Sequence, residues 1–133
     1  MSGITELDKL LKSMKPELLG SDFVFCTVPG SFTEYTSLNP VATFSEAEGL
    51  TLVLEKNVAE GAELQFEGSF RQITLTVHSS LEAVGLTAAV SEKLASKGIS
   101  ANVIAAYYHD HVFVQSSKAD LALSALQEFD EQL

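Results

Sequence analysis

Apolar and polar positions follow regular patterns most clearly in the second half of the chain. Residues 72–77 alternate between polar and apolar side chains, which predicts a half-buried strand. Residues 86–97 carry apolar side chains at helical spacing, and Gly98 follows where a glycine commonly ends a helix. The remaining predicted elements of this half are, in order, a strand over 99–107, a strand over 111–115 and a helix from Ser117 onward. The predicted order is therefore β-α-β-β-α over residues 71–131.

The pattern in the first half is weaker and predicts shorter elements. Four apolar side chains at helical spacing predict a helix over residues 5–14. Proline, glycine and asparagine residues between positions 29 and 40 predict a loop. The other predicted elements are a strand over 23–28, a hairpin of two strands over 41–47 and 50–55, and one or two helical turns over 57–64.

The order β-α-β-β-α is that of a ferredoxin-like sheet without its last strand. We therefore expect the first half of the chain to supply that strand, so that two ferredoxin-like subdomains are intertwined. The predicted fold class is α+β, with a mixed, mainly antiparallel sheet and helices on one face. The predicted division is between residues 1–68, with one helix and three strands, and residues 69–133, with the β-α-β-β-α unit.

Composition and charge narrow the classes of partner. The chain has 133 residues, 46% of them hydrophobic, and its 18 Asp and Glu against 8 Lys and Arg give a formal net charge of −10. This length suits one domain or two very small ones, and the chain is too apolar to be disordered. Both halves are acidic, so we expect no binding to nucleic acid and none to an anionic membrane surface.

The termini and the cysteine content indicate a compartment. The N-terminus has neither the basic residues nor the apolar run of a signal peptide, and no stretch approaches the roughly 20 apolar residues of a membrane span. The single cysteine, Cys26, lies in an apolar run and is interpreted as a buried thiol rather than a nucleophile. One cysteine cannot form an internal disulfide, which fits a reducing environment. We therefore expect a cytoplasmic protein.

Three segments carry a resemblance to a known family. Residues 77–90 read VHSSLEAVGLTAAV, which is a strand, a glycine-bearing turn and a helix, and residues 98–114 read GISANVIAAYYHDHVFV. Together they resemble an ACT domain, a small regulatory module that often binds amino acids. Residues 42–54, ATFSEAEGLTLVL, are similar to the first module of short bacterial tandem ACT proteins. The resemblance covers roughly residues 20–130.

The resemblance implies a ligand site at the turn before the helix. A ligand carboxylate would meet the backbone N–H groups around Val84, Gly85 and Leu86, because a helix start favours an anion and a glycine allows close approach. Further contacts would come from five side chains: His78, Ser79 and Ser80 as donors, Tyr107 at the pocket wall and Asp110 as the acceptor of an ammonium group. An alternative interpretation is that Gly85 only permits tight packing of strand and helix.

The sequence favours neither metal binding nor catalysis. His109, Asp110 and His111 would need His78 as a further metal ligand, and we expect His78 at the opposite end of the sheet, roughly 15–20 Å away. The sequence holds no nucleophile motif, phosphate-binding loop or dinucleotide fingerprint. We therefore predict no catalytic residue, no metal and no cofactor.

The predicted function is that of a non-enzymatic regulatory module. It would bind a small amino acid at a subdomain or subunit interface and bias an assembly equilibrium. The strand over 99–107 is expected to be an edge that pairs with another copy, giving a dimer or larger. The alternative is a structural protein–protein interaction module without a small-molecule ligand.

Overall fold

The computed structural model describes residues 6–78 and 84–131, which contain four α-helices and six strands. The helices are α1 (Leu7–Lys12), α2 (Lys56–Gly61), α3 (Leu86–Ser96) and α4 (Ala119–Gln127). The strands are β1 (Pro16–Val28), β2 (Ala42–Glu46), β3 (Gly49–Glu55), β4 (Phe70–Leu75), β5 (Asn102–Ala105) and β6 (Asp110–Gln115). None of these helices has the length and apolar character needed to cross a bilayer.

The six strands form one sheet in the order β2-β3-β1-β4-β6-β5. The α+β, ferredoxin-like class is confirmed, and the sheet is antiparallel. Strand β6 lies between β4 and β5, so the two strands that α3 connects are not neighbours. The parallel pair that a mixed sheet would need is therefore not formed by these two strands.

The chain divides into two compact units, which differ from the predicted division in the N-terminal residues. The discontinuous unit comprises residues 1–20 and 71–133, and the 21–70 unit comprises the residues between them. Leu10 and Met14 are fully buried in the core of the discontinuous unit. The N-terminal helix thus packs with the second half of the chain, because its apolar face is buried there.

The core of the discontinuous unit forms around the apolar stripe of α3. Leu86, Val90 and Leu94 recur every four residues, lie on one face of the helix and are buried. The other buried members of this core come from β4, β6, α4 and the segments next to these elements and α3, namely Ile73, Leu75, Val77, Ile99, Val112, Val114, Ala119, Ala122, Ala125, Leu126 and Phe129. This core holds α3 and the turn before it in place.

The 21–70 unit has its own core beneath the β1–β3 pair. Strand β3 pairs antiparallel with both β1 and β2. The buried residues of this core are Val24, Cys26, Val28, Leu50, Leu52, Leu54 and Ala59. Burial raises the pKa of the Cys26 thiol, which keeps it neutral and agrees with its interpretation as a buried, unreactive side chain.

Two strands, β1 and β5, differ most in length from their predictions. Strand β1 begins at Pro16 rather than at residue 23, because a proline is tolerated at the first position of a strand. Gly20 lies within β1 and is exposed, and it marks no turn. Strand β5 is shorter than the predicted 99–107, since the Ile99 N–H still bonds to the end of α3, donating to the Leu94 carbonyl at 3.0 Å.

Candidate functional site

The turn before α3 consists of Val84, Gly85 and Leu86 and is called the Gly85 turn. Gly85 is the N-cap of α3 and has φ of +98°, in the left-handed region that favours glycine. Val84 is 83% exposed, whereas the Leu86 side chain is buried in the core. Within the described residues no side chain caps α3, and the first turn of the helix holds no acidic residue. No described side chain therefore occupies the N–H groups at the start of α3, a position that favours a carboxylate.

Gly85 also approaches the N-terminal helix closely. A Cβ atom at this position would lie 3.2 Å from Cδ2 of Leu7, so an added methyl group would press on α1. The Gly85 carbonyl accepts the Ala89 N–H at 2.9 Å and so closes the first turn of α3. This geometry is compatible with both interpretations of Gly85, ligand approach and tight packing.

Four aromatic and imidazole rings meet where β4 ends and the β5–β6 hairpin turns. The ring of His78 lies 5.2 Å from that of Tyr108 and 6.4 Å from that of Tyr107, measured between centroids. The two tyrosine rings are 4.9 Å apart, and the Nδ1–H of His109 donates to the Val77 carbonyl at 3.4 Å. We call His78, Tyr107, Tyr108 and His109 the aromatic corner.

The predicted separation of His78 from His109 is wrong. The two residues lie in the same corner because β4 neighbours β6 in the antiparallel sheet, so that the end of β4 lies beside the start of β6. Because α3 carries the chain back along the sheet, β4 and β5 run in the same direction. The prediction overlooked that β5 therefore ends near the end of β4. Even so, across residues 6–78 and 84–131 no three or more His, Cys, Asp or Glu side chains are grouped to hold a metal ion.

Asp110 is the first residue of β6 and is only 8% exposed. Burial raises the pKa of its carboxyl group, an effect that the neighbouring His111 and His109 partly oppose. The charged form is therefore incompletely solvated, and a cation placed beside it would stabilise it. This is the property that the predicted role of Asp110 as an ammonium acceptor requires.

The next residue, His111, belongs to a polar network that the sequence did not indicate. Its Nδ1 atom lies 3.1 Å from the Gln72 amide nitrogen and 3.0 Å from the Thr74 hydroxyl. The Gln72 amide also donates to the Thr74 hydroxyl at 3.1 Å. Burial and the nearby His109 lower the pKa of His111, which favours a neutral imidazole that accepts at Nδ1.

A second glycine turn, similar to the Gly85 turn, lies in the 21–70 unit. The sequence predicted only a loop for this stretch. Gly30 also has φ of +98°, and a short 3-10 segment, Phe32–Glu34, follows it. The Glu34 carboxylate accepts the Ser31 N–H at 2.8 Å, and the Tyr35 hydroxyl donates to the Pro29 carbonyl at 2.5 Å. The S-x-x-E spacing from Ser31 to Glu34 is the signal that could have revealed this closed turn. We call it the Gly30 turn.

The structure thus accounts for the predicted site residues to different extents. It brings His78 and Tyr107 together and places Asp110 at the start of β6, the second strand of the hairpin that carries Tyr107. It orders Val84, Gly85 and Leu86 at the start of α3, with only Val84 presenting an exposed side chain. Ser79 and Ser80 lie outside the described residues.

Comparison with known proteins identifies the family. Models of the ACT domain match residues 2–71 and residues 67–128. No curated protein matches the chain significantly. The crystal structure of a protein of unknown function from Vibrio cholerae, called a possible transport protein, is 62% identical to this chain, with a TM-score of 0.87. The alignment covers 97% of this chain and 99% of that one.

More distant structures share the fold. One is a protein from Agrobacterium tumefaciens, with 14% identity, a TM-score of 0.67 and coverage of 86% of this chain and 87% of that one. Another is the ligand-free regulatory subunit of aspartate kinase from Thermus thermophilus, with 11% identity, a TM-score of 0.60 and coverage of 88% and 98%. At these identities the likeness concerns the fold alone. The two family matches confirm the resemblance read from the sequence: the chain belongs to the ACT domain family and carries two ACT domains in tandem.

Proposed function

We propose that this protein is a non-enzymatic regulatory module that binds a small amino acid at the Gly85 turn. Two ACT domains account for residues 2–128, and they resemble regulatory modules such as the aspartate kinase subunit rather than catalytic domains. Ligand binding to one state of an assembly would shift its equilibrium toward that state. The amino acid would be the signal, and the assembly the response.

The start of α3, which no described side chain caps, carries this proposal. Helix α3 has eleven residues, so its aligned peptide dipoles favour an anion at its N-terminus. Neither an acidic residue in its first turn nor a described capping side chain satisfies that preference. Gly85 adopts the left-handed N-cap conformation of this helix, which a residue with a Cβ atom rarely adopts. A ligand carboxylate at this position would complete the helix start.

The remaining contacts of the ligand are assigned on position. His78 follows β4 in the sequence, and Ser79 and Ser80 come next, where their hydroxyl groups would add donors. Tyr107 lies against His78 and would line the ligand. Asp110 would accept the ammonium group, since a cation offsets the incomplete solvation of its carboxylate.

Thermal unfolding in the presence of each of the twenty amino acids tests the proposal. A ligand that binds only the native state raises the melting temperature. We expect at least one amino acid to do so in the parent protein and to lose this effect in Gly85→Asp, because the new carboxylate adds negative charge at the start of α3 and opposes the ligand carboxylate. Gly85→Asn, which tolerates the left-handed region but carries no charge, is expected to retain part of the response.

Gly98→Asp is the matched control for this experiment. Gly98 also has a positive φ, of +73°, and lies just beyond the other end of α3, where a Cβ atom would meet nothing within 4 Å. The substitution therefore brings similar backbone strain and the same charge without approaching the ligand. A folded Gly85→Asp variant that still responds fully, or a parent that responds to no amino acid, contradicts the proposed site.

The alternative, an interaction module without a ligand, is favoured by the two sheet edges. Strand β5 lies at one edge, and β2 lies at the other with Phe44 71% exposed. Sheet edges present unpaired backbone groups that readily pair with another chain. We expect light scattering at micromolar concentration to report a dimer or larger, and a monomer at every concentration would contradict this. Self-association combined with no response to any amino acid would favour the alternative.

A further inference from the structure

The aromatic corner presents its rings to solvent although aromatic rings are usually covered. Tyr107 is 63% exposed and Tyr108 is 62% exposed, and they are packed edge to face at 4.9 Å. The His78 ring lies beside both of them, which restricts how far either tyrosine can turn. The corner is therefore an ordered set of ring faces rather than two independent surface side chains.

The two segments of chain that form the aromatic corner carry no Lys or Arg. The sequence has no Lys or Arg between Arg71 and Lys93, and none between Lys97 and Lys118, so both segments that build the corner lack these cations. Lys15 meets this region through its backbone, because its carbonyl accepts the Thr76 hydroxyl at 3.0 Å, and its side chain is exposed. Asp110 adds a carboxyl group directly after the corner in the sequence.

We propose that the aromatic corner binds an organic cation, an alkylammonium or guanidinium group, and thereby sets the class of ligand that the module accepts. The negative face of a tyrosine ring attracts such a cation within about 6 Å of its centroid. The inference rests on the proposed function in one respect: the ligand that reaches the Gly85 turn would carry this cation. The cation is either the α-ammonium group of an amino acid or the end of a basic side chain.

Titration calorimetry with four probes separates these sources at a salt concentration of about 0.15 M, where distant charges are screened. The probes are L-lysine, L-norleucine, L-phenylalanine and butylammonium chloride. Lysine and norleucine share an α-ammonium group and a butyl chain, and only lysine carries a second cation. Butylammonium has no carboxylate, so it reports on the corner without the Gly85 turn.

We expect the rings to contribute about two- to fivefold in affinity each. Tyr107→Leu and Tyr108→Leu should weaken lysine and butylammonium by that factor, whereas Tyr107→Phe should bind as the parent does because it keeps the ring face. Phe44→Leu removes an exposed aromatic ring from β2 and serves as the control, with no change expected. None of these variants alters the net charge, so a general attraction to the acidic protein cannot produce the difference.

Tyrosine fluorescence localises the binding. The chain has no tryptophan and three tyrosines, so Tyr35→Phe leaves Tyr107 and Tyr108 as its tyrosine emitters. Butylammonium should change this emission at the concentrations at which calorimetry reports binding. An unchanged emission at saturation would place the cation elsewhere and overturn the inference.

The outcomes distinguish the inference from the proposed function. A preference for lysine over norleucine that disappears in the Leu variants supports a basic side chain at the corner, and an equal loss for both supports the α-ammonium group. If the amino acids bind equally well and neither Leu variant weakens them, or if phenylalanine binds best, the inference is overturned. The proposed function is then left standing. Ring-dependent binding of butylammonium, combined with no response to any of the twenty amino acids, supports the corner and overturns the proposed function. No signal from any probe overturns the inference, and no response to any of the twenty amino acids in addition overturns both.

Discussion

The two glycine turns of this protein use one backbone geometry in two ways. Gly30 and Gly85 both have φ of +98° and both precede a helical segment. At the Gly30 turn the carboxylate of Glu34 accepts the backbone N–H that follows the glycine. At the Gly85 turn no described side chain does so. The comparison teaches that this geometry suits a carboxylate, and it supports our assignment of an external ligand to the Gly85 turn.

Alanine substitution at the two glycines gives the largest expected effect. Each change forces a side chain into the left-handed region, at a cost of about 1–3 kcal/mol in the free energy of unfolding. Gly30→Ala should cost about 1 kcal/mol more than Gly85→Ala, because a Cβ atom there would displace the Glu34 carboxylate and remove a capping bond. Urea denaturation of both variants measures the difference.

Glu34→Ala is the background that isolates the cause. In this background the extra cost of Gly30→Ala should disappear, since the Glu34 carboxylate is already absent, while the Cβ atom of Gly85→Ala still presses on Leu7. Equal costs in the parent background, or an unchanged gap in the Glu34→Ala background, would show that the carboxylate is not what distinguishes the two turns.

The response to pH should distinguish the units that hold the two turns, with a smaller effect. All three histidines lie between residues 78 and 111, so the 21–70 unit contains none. The lowered pKa of His111 means that the folded protein binds this proton less readily than the unfolded chain does. The contribution of His111 to stability is therefore fully present above its ordinary pKa of about 6.5 and is lost as the pH falls toward the lowered value.

Urea denaturation between pH 5 and 8 checks this sign. We expect the parent to lose stability as the pH falls and His111→Asn to lose less of it, because an asparagine oxygen can accept at the position of Nδ1 without titrating.

Asp110→Asn is the second control. Its raised pKa acts in the opposite direction, since folding favours the protonated carboxyl group as the pH falls toward its ordinary value. A steeper loss in His111→Asn than in the parent would contradict the assignment.

Sequence periodicity predicted the second half of the fold well because its elements bury one face each. The α3 stripe of Leu86, Val90 and Leu94 repeats as a helix requires, and α3 ends at Ser96, close to the predicted end. Strand β1 was harder to predict, since Pro16 and Gly20 are usually interpreted as breaks although both are tolerated in this strand. Strand β6 is inserted between β4 and β5, and hydrophobic periodicity does not specify which strands become neighbours.

The candidate site was predictable only where it depends on local sequence. Gly85 was singled out by its position between strand and helix, and the structure gives it the left-handed geometry that makes a glycine necessary there. The contact of His78 with Tyr107 and Tyr108 depends on which ends of the strands meet, so sequence spacing alone placed His78 incorrectly. The Gln72–Thr74–His111 network joins residues up to 39 positions apart and has no local signal. The ligand assignment stays a prediction.

The burial of α1 in the discontinuous unit has a consequence for synthesis on the ribosome. Leu10 and Met14 are translated well before Val112, Leu126 and Phe129, with which they share a core. The 21–70 unit, by contrast, can complete its core from neighbouring stretches of chain while translation continues. Chains emerge at roughly 5–20 residues per second, so the N-terminal helix waits for several seconds with its apolar face uncovered. Folding during translation can therefore start in the 21–70 unit, before the core around α1 closes.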